Sequence, residues 1–509
     1  MKDDFVLGAP GSGPTVGSLG ESLGGQVQRD RLDRSVNGLR RVAPELSAHL
    51  VLSRGQQVVG VLGVGLLVVA LVVAPMVTVR TVLAVLAVLY TLTLGYRLLL
   101  VNRGLRGRHL IGVSDRDALA VAERDLPVYS VLVPAYREPQ VISRLIASLG
   151  GLDYPRAKLE ILLLLEADDQ ETIAAARASL TADTAITVVL VPPGEPRTKP
   201  KACNYGLQLA TGELVTIFDA EDRPEPLQLR RAVVALGRLG AGYACVQARL
   251  GYFNPQQNLL TRWFTIEYAN WFGLLLPGLV SVGAPVPLGG TSNHFRTDLL
   301  RALGAWDAFN VTEDADLGIR LARLGYAVGV LDSVTAEEAN SDFVNWIKQR
   351  SRWYKGYLQT WLVHMRHPVT VHRELGWRGA LGLHLFIAGT PVTSFLNPLF
   401  WALTVIWFVQ KPAWLPLLFP GGVFYLALIC FVIGNAAILY ANVLTTQVMR
   451  EPGLLGAALL VPLYWVMMAV AASKAVFQLI WMPSYWEKTA HGLHQDPPDT
   501  LLPTLGTAA

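Results

Sequence analysis

The chain has 509 residues, 52% of them hydrophobic and 16% charged, with a mean hydropathy of +0.37 and a formal charge of +4. A soluble domain carries about 25% charged residues, so this balance argues against a purely cytosolic protein and excludes wholesale disorder, and the charge is too small over this length to suggest a nucleic-acid binder. The three cysteines, Cys203, Cys245 and Cys430, lie far apart with no paired metal-ligand spacing, so neither a disulfide framework nor a zinc site is indicated.

Residues 1–26 are Gly-rich and expected to be disordered. Asp3 and Asp4 stand where a secretory signal would begin with basic residues, so no signal peptide is expected. A cytoplasmic helical segment over 27–55 leads into two apolar runs, Val58–Met76 and Thr81–Tyr96. About 20 apolar residues cross a bilayer, so residues 56–101 read as a transmembrane hairpin. Arg40, Arg41 and Arg54 precede it and Arg97, Arg103, Arg106 and Arg108 follow it, whereas Arg80 alone lies between the runs. Basic residues favour the inner side, which puts the N-terminus and the region after the hairpin in the cytoplasm.

From 102 to 345 charges recur every few residues between short apolar runs. Strands are predicted at Tyr129–Pro134, Leu159–Leu165, Ile186–Val191 and Leu214–Phe218, with helices over Val141–Leu149, Thr172–Leu180 and Ala202–Leu209. This alternation implies a parallel, doubly wound α/β sheet, which binds ligands beyond the carboxyl ends of its strands.

The acids follow that rule. Leu214–Phe218 runs into Asp219-Ala220-Glu221-Asp222, and Leu165 into Glu166-Ala167-Asp168-Asp169. A lone acidic turn is ordinarily solvated, but two such clusters on one sheet edge fit a nucleotide diphosphate with Mg²⁺ or Mn²⁺, whose ligands are oxygens. Thr198-Lys199-Pro200-Lys201 opens a helix, where a lysine adds to the pull of the helix dipole on phosphate. Asn310-Val311-Thr312-Glu313-Asp314-Ala315-Asp316 opens another. Thr312 suits a helix cap and acids suit a first turn. Crowding of Glu313, Asp314 and Asp316 also raises one carboxylate toward the range of a general base. In Gln349-Arg350-Ser351-Arg352-Trp353, positions 349, 352 and 353 share a helical face carrying an amide, a guanidinium and an indole. Arginine suits a diphosphate and Trp an apolar sugar face. As simple juxtamembrane anchors the charges are explained, but their order is not.

Apolar length returns at Leu381–Val409, Gly421–Leu444 and Leu454–Ile480, giving five or six spans in all. Interface helices are expected over 346–389, spans over 390–482 and a tail over 483–509. Lys474 inside the last stretch marks a function or an interface.

The order Asp-x-(Asp/Glu), Thr-Glu-Asp, Gln-x-x-Arg-Trp over roughly residues 125–360 resembles the processive membrane glycosyltransferases of family 2, the cellulose, chitin and hyaluronan synthases. The resemblance implies a cytoplasmic nucleotide-sugar-binding α/β domain of the GT-A type joined to a helical transmembrane bundle. It implies inverting, metal-dependent transfer from a UDP-sugar to a growing polysaccharide, translocated across the plasma membrane, with accessory export or regulatory proteins as further partners. By residue, it implies Glu166 as the uracil contact with Asp168 as the alternative, and Lys201 and Asp219 at the nucleotide. Asp219 and Glu221 become the metal pair, the glutamate leaving open which carboxylate touches the ion. Asp314 becomes the base, within Thr312-Glu313-Asp314, while Gln349, Arg352 and Trp353 become the acceptor and diphosphate clamp. Gly290 and Thr291 would lie near the acceptor sugar, and Trp486, Lys488 and Thr489 would form a gating segment. Too few residues follow for a cyclic-dinucleotide-binding barrel, so such regulation would need another chain. The rival readings are transfer of one sugar to a lipid carrier, and a nucleotide-sugar-binding subunit without chemistry.

Overall fold

The structure is a computed structural model that describes residues 18–180, 185–419, 421–449, 451–483, 485 and 487–488. Helix α1 (Ser18–Val42) begins inside the stretch expected to be disordered, and residues 1–17 lie outside the described residues. Helix α2 (Arg54–Val73) starts where Ser53 and Gln56 satisfy each other's backbone N–H groups in a capping box. Helix α3 (Pro75–Gly104) returns antiparallel to it and runs further than the apolar run alone indicates.

A nine-stranded sheet follows, built from β1 (Leu110–Ile111), β2 (Tyr129–Ala135), β3 (Leu159–Glu166), β4 (Ile186–Val191), β5 (Leu214–Ile217), β6 (Arg223–Pro224), β7 (Tyr243–Tyr252), β8 (Asn293–Arg296) and β9 (Ala327–Glu337). The order is β1-β9-β7-β8-β5-β2-β3-β4, with β6 on β9. The half from β5 to β4 is parallel, as the alternation of strands and helices predicts. The sheet as a whole is mixed, because β8 runs antiparallel to both β5 and β7. Parallel neighbours need a long crossover. The four residues of β8 instead enter from the loop 283–292, which turns back under the β5 end and reverses the strand.

Side chains alternate across the strands. Leu132, Leu162, Leu164 and Ile217 join one core cluster, and Val131, Val133, Ile161, Leu163 and Leu165 the other. Between the parallel strands run helix α4 (Ile142–Gly150), whose Ile142, Leu145, Ile146 and Leu149 form its buried stripe, helix α5 (Gln170–Ser179) and helix α6 (Lys199–Leu207). The first core continues into the membrane-proximal helices. Helix α7 (Leu259–Asn270) leads through a π-turn into helix α8 (Leu276–Val282), which packs on the end of α3. A Cβ on Gly278 would lie 2.3 Å from the Leu100 carbonyl oxygen, so only glycine permits this approach.

Helix α9 (Glu313–Arg323) and the long helix α10 (Phe343–His364), capped by Asp342, close the domain. Helix α11 (Pro368–Leu381), kinked at Gly376, runs through a π-turn into helix α12 (Gly389–Gln410), followed by helix α13 (Gly422–Val448) and helix α14 (Val461–Trp481). Among the described residues five helical segments are long and apolar enough to cross a membrane, α2, α3, α11–α12, α13 and α14. Helix α14 differs from the rest in where its ends lie. At its start Tyr464 donates to Glu267 of α7 (2.6 Å), and the Trp263 indole donates to the carbonyl of Ala457 just before it (2.8 Å). Beyond its end Lys355 of α10 donates to the Tyr485 carbonyl (2.5 Å). Its Ala471, Ala472 and Ala475 pack in one cluster with Trp346 and Ile347 of α10. Lys474 pairs with Glu487 at 2.8 Å, so the charge inside this apolar stretch is matched within the chain.

Candidate active site

The in-register pairs Ala135–Leu165 and Leu132–Ile217 bring the ends of β2, β3 and β5 to one edge, so Tyr136, Glu166 and Asp219 rim one cleft of about 500 Å³. Helices α9 and α10 form its opposite wall. Of the residues singled out from the sequence, Glu166, Asp219, Glu221, Gly290, Thr291, Thr312, Glu313, Asp314, Gln349, Arg352, Trp353 and Lys488 all line it. Trp486 and Thr489 lie outside the described residues.

The two lysines of Lys-Pro-Lys divide the labour differently from expectation. Lys201 is fully buried, facing away from the cleft, and its Nζ donates to Glu166 (2.8 Å) and to the carbonyls of Gly194 and Pro192. It holds Glu166 in place. Burial raises the Glu166 carboxyl above its ordinary pKa, partly offset by Lys201. Lys199 is the lysine that reaches the cleft, one helical half-turn earlier, pairing with Asp219 and donating to the Gly290 carbonyl at 2.7 Å. Burial disfavours its charge, yet Asp219 and Glu313 outweigh that and keep it protonated. Asp168 sits on the rim outside the cleft and pairs with Arg197 at 2.5 Å, and Arg197 itself lines the cleft.

The acidic tetrapeptide sorts by direction. Asp222 is 1% exposed and turned inward, where it accepts from the Asp219 N–H (2.7 Å) and the Thr291 hydroxyl. Burial, then the charges of Asp219 and Glu221, push its pKa well above the carboxylate range, and its Oδ1 has no hydrogen-bond partner among the described residues. Asp222 therefore braces the loop, leaving Asp219 and Glu221 at the cleft. Glu337, at the end of β9, joins them, its pKa raised by burial and by the same three carboxylates. No sequence signal marks Glu337, because only the strand order brings it to this edge. Asp219, Glu221 and Glu337 make an all-oxygen set of concentrated negative charge, which suits Mg²⁺ or Mn²⁺. Among the described residues no three such side chains converge closely enough to hold an ion alone, so phosphate oxygens of a nucleotide would complete the set.

On α9, Thr312 occupies the capping position without a side-chain cap, and its buried hydroxyl has no partner among the described residues. Glu313 and Asp314 face the cleft. Burial raises both, the Asp314 charge further raises Glu313, and Lys199 and Arg352 counter the shift in each. Asp316 points away, held by Arg320 (2.8 Å) and by His364 of α10 (3.0 Å). The three crowded acids thus split into two at the cleft and one tying α9 to α10.

On α10, Arg352 faces the carboxylates of Glu313, Asp314 and Asp219. The Trp353 indole stacks on Tyr268 with centroids 6.1 Å apart and planes at 30°. The intervening Arg350 forms a two-pronged pair with Glu267 (2.8 and 2.5 Å) and lies 4.4 Å from the Trp353 ring. It fixes the indole rather than anchoring to a membrane surface. Glu267, like Glu337, could not be found from local pattern. Lys488 reaches back to the Tyr136 carbonyl and lies 3.9 Å from Glu138 at the mouth.

Residues 130–285 match the model described as glycosyl transferase family 2, and 214–445 the model described as glycosyl transferase family group 2. Over these residues the chain is similar to the glycosyl transferases of family 2. Its mixed α/β sheet is of the GT-A type, joined to long apolar helices. The chain is 28% identical to the probable glycosyltransferase YdaM of Bacillus subtilis, over 46% of this chain and 56% of that one. It is equally 28% identical to a beta-monoglucosyldiacylglycerol synthase of Synechocystis, over 51% and 54%. It thus spans about half the length of the curated relatives it matches. Among solved structures, mannosyltransferase PcManGT from Pyrobaculum calidifontis, in complex with GDP-Man and Mn²⁺, is similar at 23% identity and a TM-score of 0.49, over 75% of this chain and 99% of that one.

Proposed function

We propose that the protein catalyses inverting transfer of a sugar from a UDP-sugar to a hydroxyl held at the inner face of the plasma membrane. The observation that carries this is the convergence of Asp219, Asp314 and Trp353 on one cleft from three elements far apart in sequence. Asp314 takes the proton of the acceptor hydroxyl, whose oxygen attacks the anomeric carbon as the bond to the diphosphate oxygen breaks. Lys199 and Arg352 oppose the charge that collects on the leaving diphosphate, and Glu166 accepts a hydrogen bond from the uracil edge. Asp219 and Glu221, with Glu337, would hold a divalent cation, which supplies Lewis-acid stabilisation of that diphosphate. Trp353, held by Arg350 and Tyr268, gives the acceptor a flat apolar face.

The acceptor is read as membrane-borne because the cleft wall includes Arg97 of α3, Thr390 of α12 and Met468 of α14. A relative whose name makes it a monoglucosyldiacylglycerol synthase supports a lipid acceptor. Extension of a polysaccharide is the second reading, favoured by the aromatic run Tyr268, Trp271, Trp353 and Tyr357 along the same wall.

Product sizing by mass spectrometry separates one added sugar from a polymer. Asp314→Asn is expected to lower turnover by about 10²–10⁴-fold with UDP affinity kept, and near-normal turnover in that variant removes the assignment. Chelation by EDTA is expected to abolish UDP release, with Mn²⁺ or Mg²⁺ restoring it. Unchanged release would show that the acidic set holds no ion.

A further inference from the structure

Arg97 is a charge that the transfer itself does not use. It sits within α3, one of the helices long and apolar enough to span a membrane, and the close approach of Leu100 to Gly278 fixes the rotation of that helix. So oriented, its guanidinium lines the catalytic cleft. Among the described residues it has no hydrogen-bond or ion-pair partner, and the carboxylate of the same wall, Glu267, is already gripped at both oxygens by Arg350. The Arg97 charge reaches Tyr354 and Tyr357 of α10, and Tyr357 also feels Asp314. Both tyrosines line the cleft together with Arg97 and Asp314.

Arg97 directly follows the apolar run Thr81–Tyr96, at the level where a membrane-borne headgroup would lie. A mere anchor would snorkel toward headgroups and water, whereas Arg97 faces a protein-walled cleft. In the proposed transfer the donor diphosphate is met by Lys199 and Arg352, which leaves the Arg97 guanidinium for a second anion in the same cleft. A guanidinium binds phosphate through two parallel hydrogen bonds.

We propose that Arg97 forms a phosphate subsite for the headgroup of an anionic acceptor lipid, whose free hydroxyl is then presented to Asp314 in the same cleft. This rests on the transfer reading above and names its acceptor class.

The test uses the full chain in phosphatidylcholine nanodiscs, with binding read by native mass spectrometry. The probes are dioctanoyl-phosphatidylglycerol, which has phosphate and hydroxyl, dioctanoylglycerol, which has hydroxyl alone, and inorganic phosphate. The unaltered protein is expected to bind the phosphatidylglycerol at least about tenfold more tightly than the neutral lipid. Arg97→Gln is expected to erase that preference and Arg97→Lys to keep part of it, with UDP binding unchanged in both as the check on folding. Equal binding of the two lipids, or an unchanged preference in Arg97→Gln, overturns the proposal. Displacement of the lipid by inorganic phosphate at equal concentration also overturns it, since the site then serves free phosphate. Asp314→Asn should retain the lipid preference, so failure of the catalytic assignment is distinguishable from failure of this one.

Discussion

Asp314 shows how a single side chain acquires its chemistry from its neighbours. A base that takes a proton from an alcohol must be ionised but not too weakly basic. Burial lifts Asp314 above its ordinary 3.8, while Lys199, Arg352 and the Ala315 N–H keep the anion available. Protonation removes the base, so kcat/KM is expected to fall on acidification at a pH above the ordinary carboxylate range. A pH profile with its acid limb at or below 3.8 would contradict the role. The pair Lys199 and Lys201 teaches the complementary lesson. Two identical side chains two positions apart on a helix point about 200° apart, so one meets the cleft and the other braces Glu166 behind it.

At the scale of elements, the decisive contact is α9 against α10. Thr312 and Gly356 meet so closely that a Cβ at Gly356 would lie 2.3–2.8 Å from Thr312 side-chain atoms. Asp316 and His364 pin the same two helices further along. That contact brings the Thr-Glu-Asp turn and the Gln-x-x-Arg-Trp face to one cleft. Gly356→Ala is therefore expected to force the helices apart, costing about 1–3 kcal/mol of stability and more in turnover than in UDP affinity. Thermal unfolding and steady-state kinetics measure the two effects, and a variant of normal turnover would show that the spacing is not needed. The strands and helices of the parallel half were legible beforehand, because each buried strand is a continuous apolar run and each helix has a stripe. Strand β8 was not, since four residues paired in the opposite sense carry no periodicity of their own.

For the whole molecule, both ends of α14 bond to the catalytic domain or to α10, and the helix lies along α10 between them. A helix that starts and ends on one side of the bilayer does not cross it. We infer four crossings, by α2, α3, α12 and α13, with α14 along the inner face and residue 488 on the same side as the cleft. Single cysteines introduced at exposed positions in 411–418 and at Lys488 test this with a membrane-impermeant thiol reagent on intact cells. The first is expected to react and the second to react only after permeabilisation, whereas labelling of both from outside would restore the fifth crossing.

Composition and local pattern by themselves determined that the chain is a membrane protein with one α/β domain, where most strands of the parallel half lie, and that acids stand at strand ends beside a Gln-x-x-Arg-Trp helix. These follow from burial and periodicity, which act over a few neighbouring residues. Only the tertiary structure decided that Asp222 and Asp316 brace while Asp219, Glu221 and Asp314 face the cleft, and that Glu337, Glu267, Lys199 and Arg97 line the same cleft. It alone showed that α14 sets Ala471, Ala472 and Ala475 against Trp346 and Ile347 while Leu463, Val466, Val470 and Phe477 stay exposed. Hydropathy counts how much apolar surface a helix has, whereas its partner depends on strand order and helix packing between residues far apart in the chain.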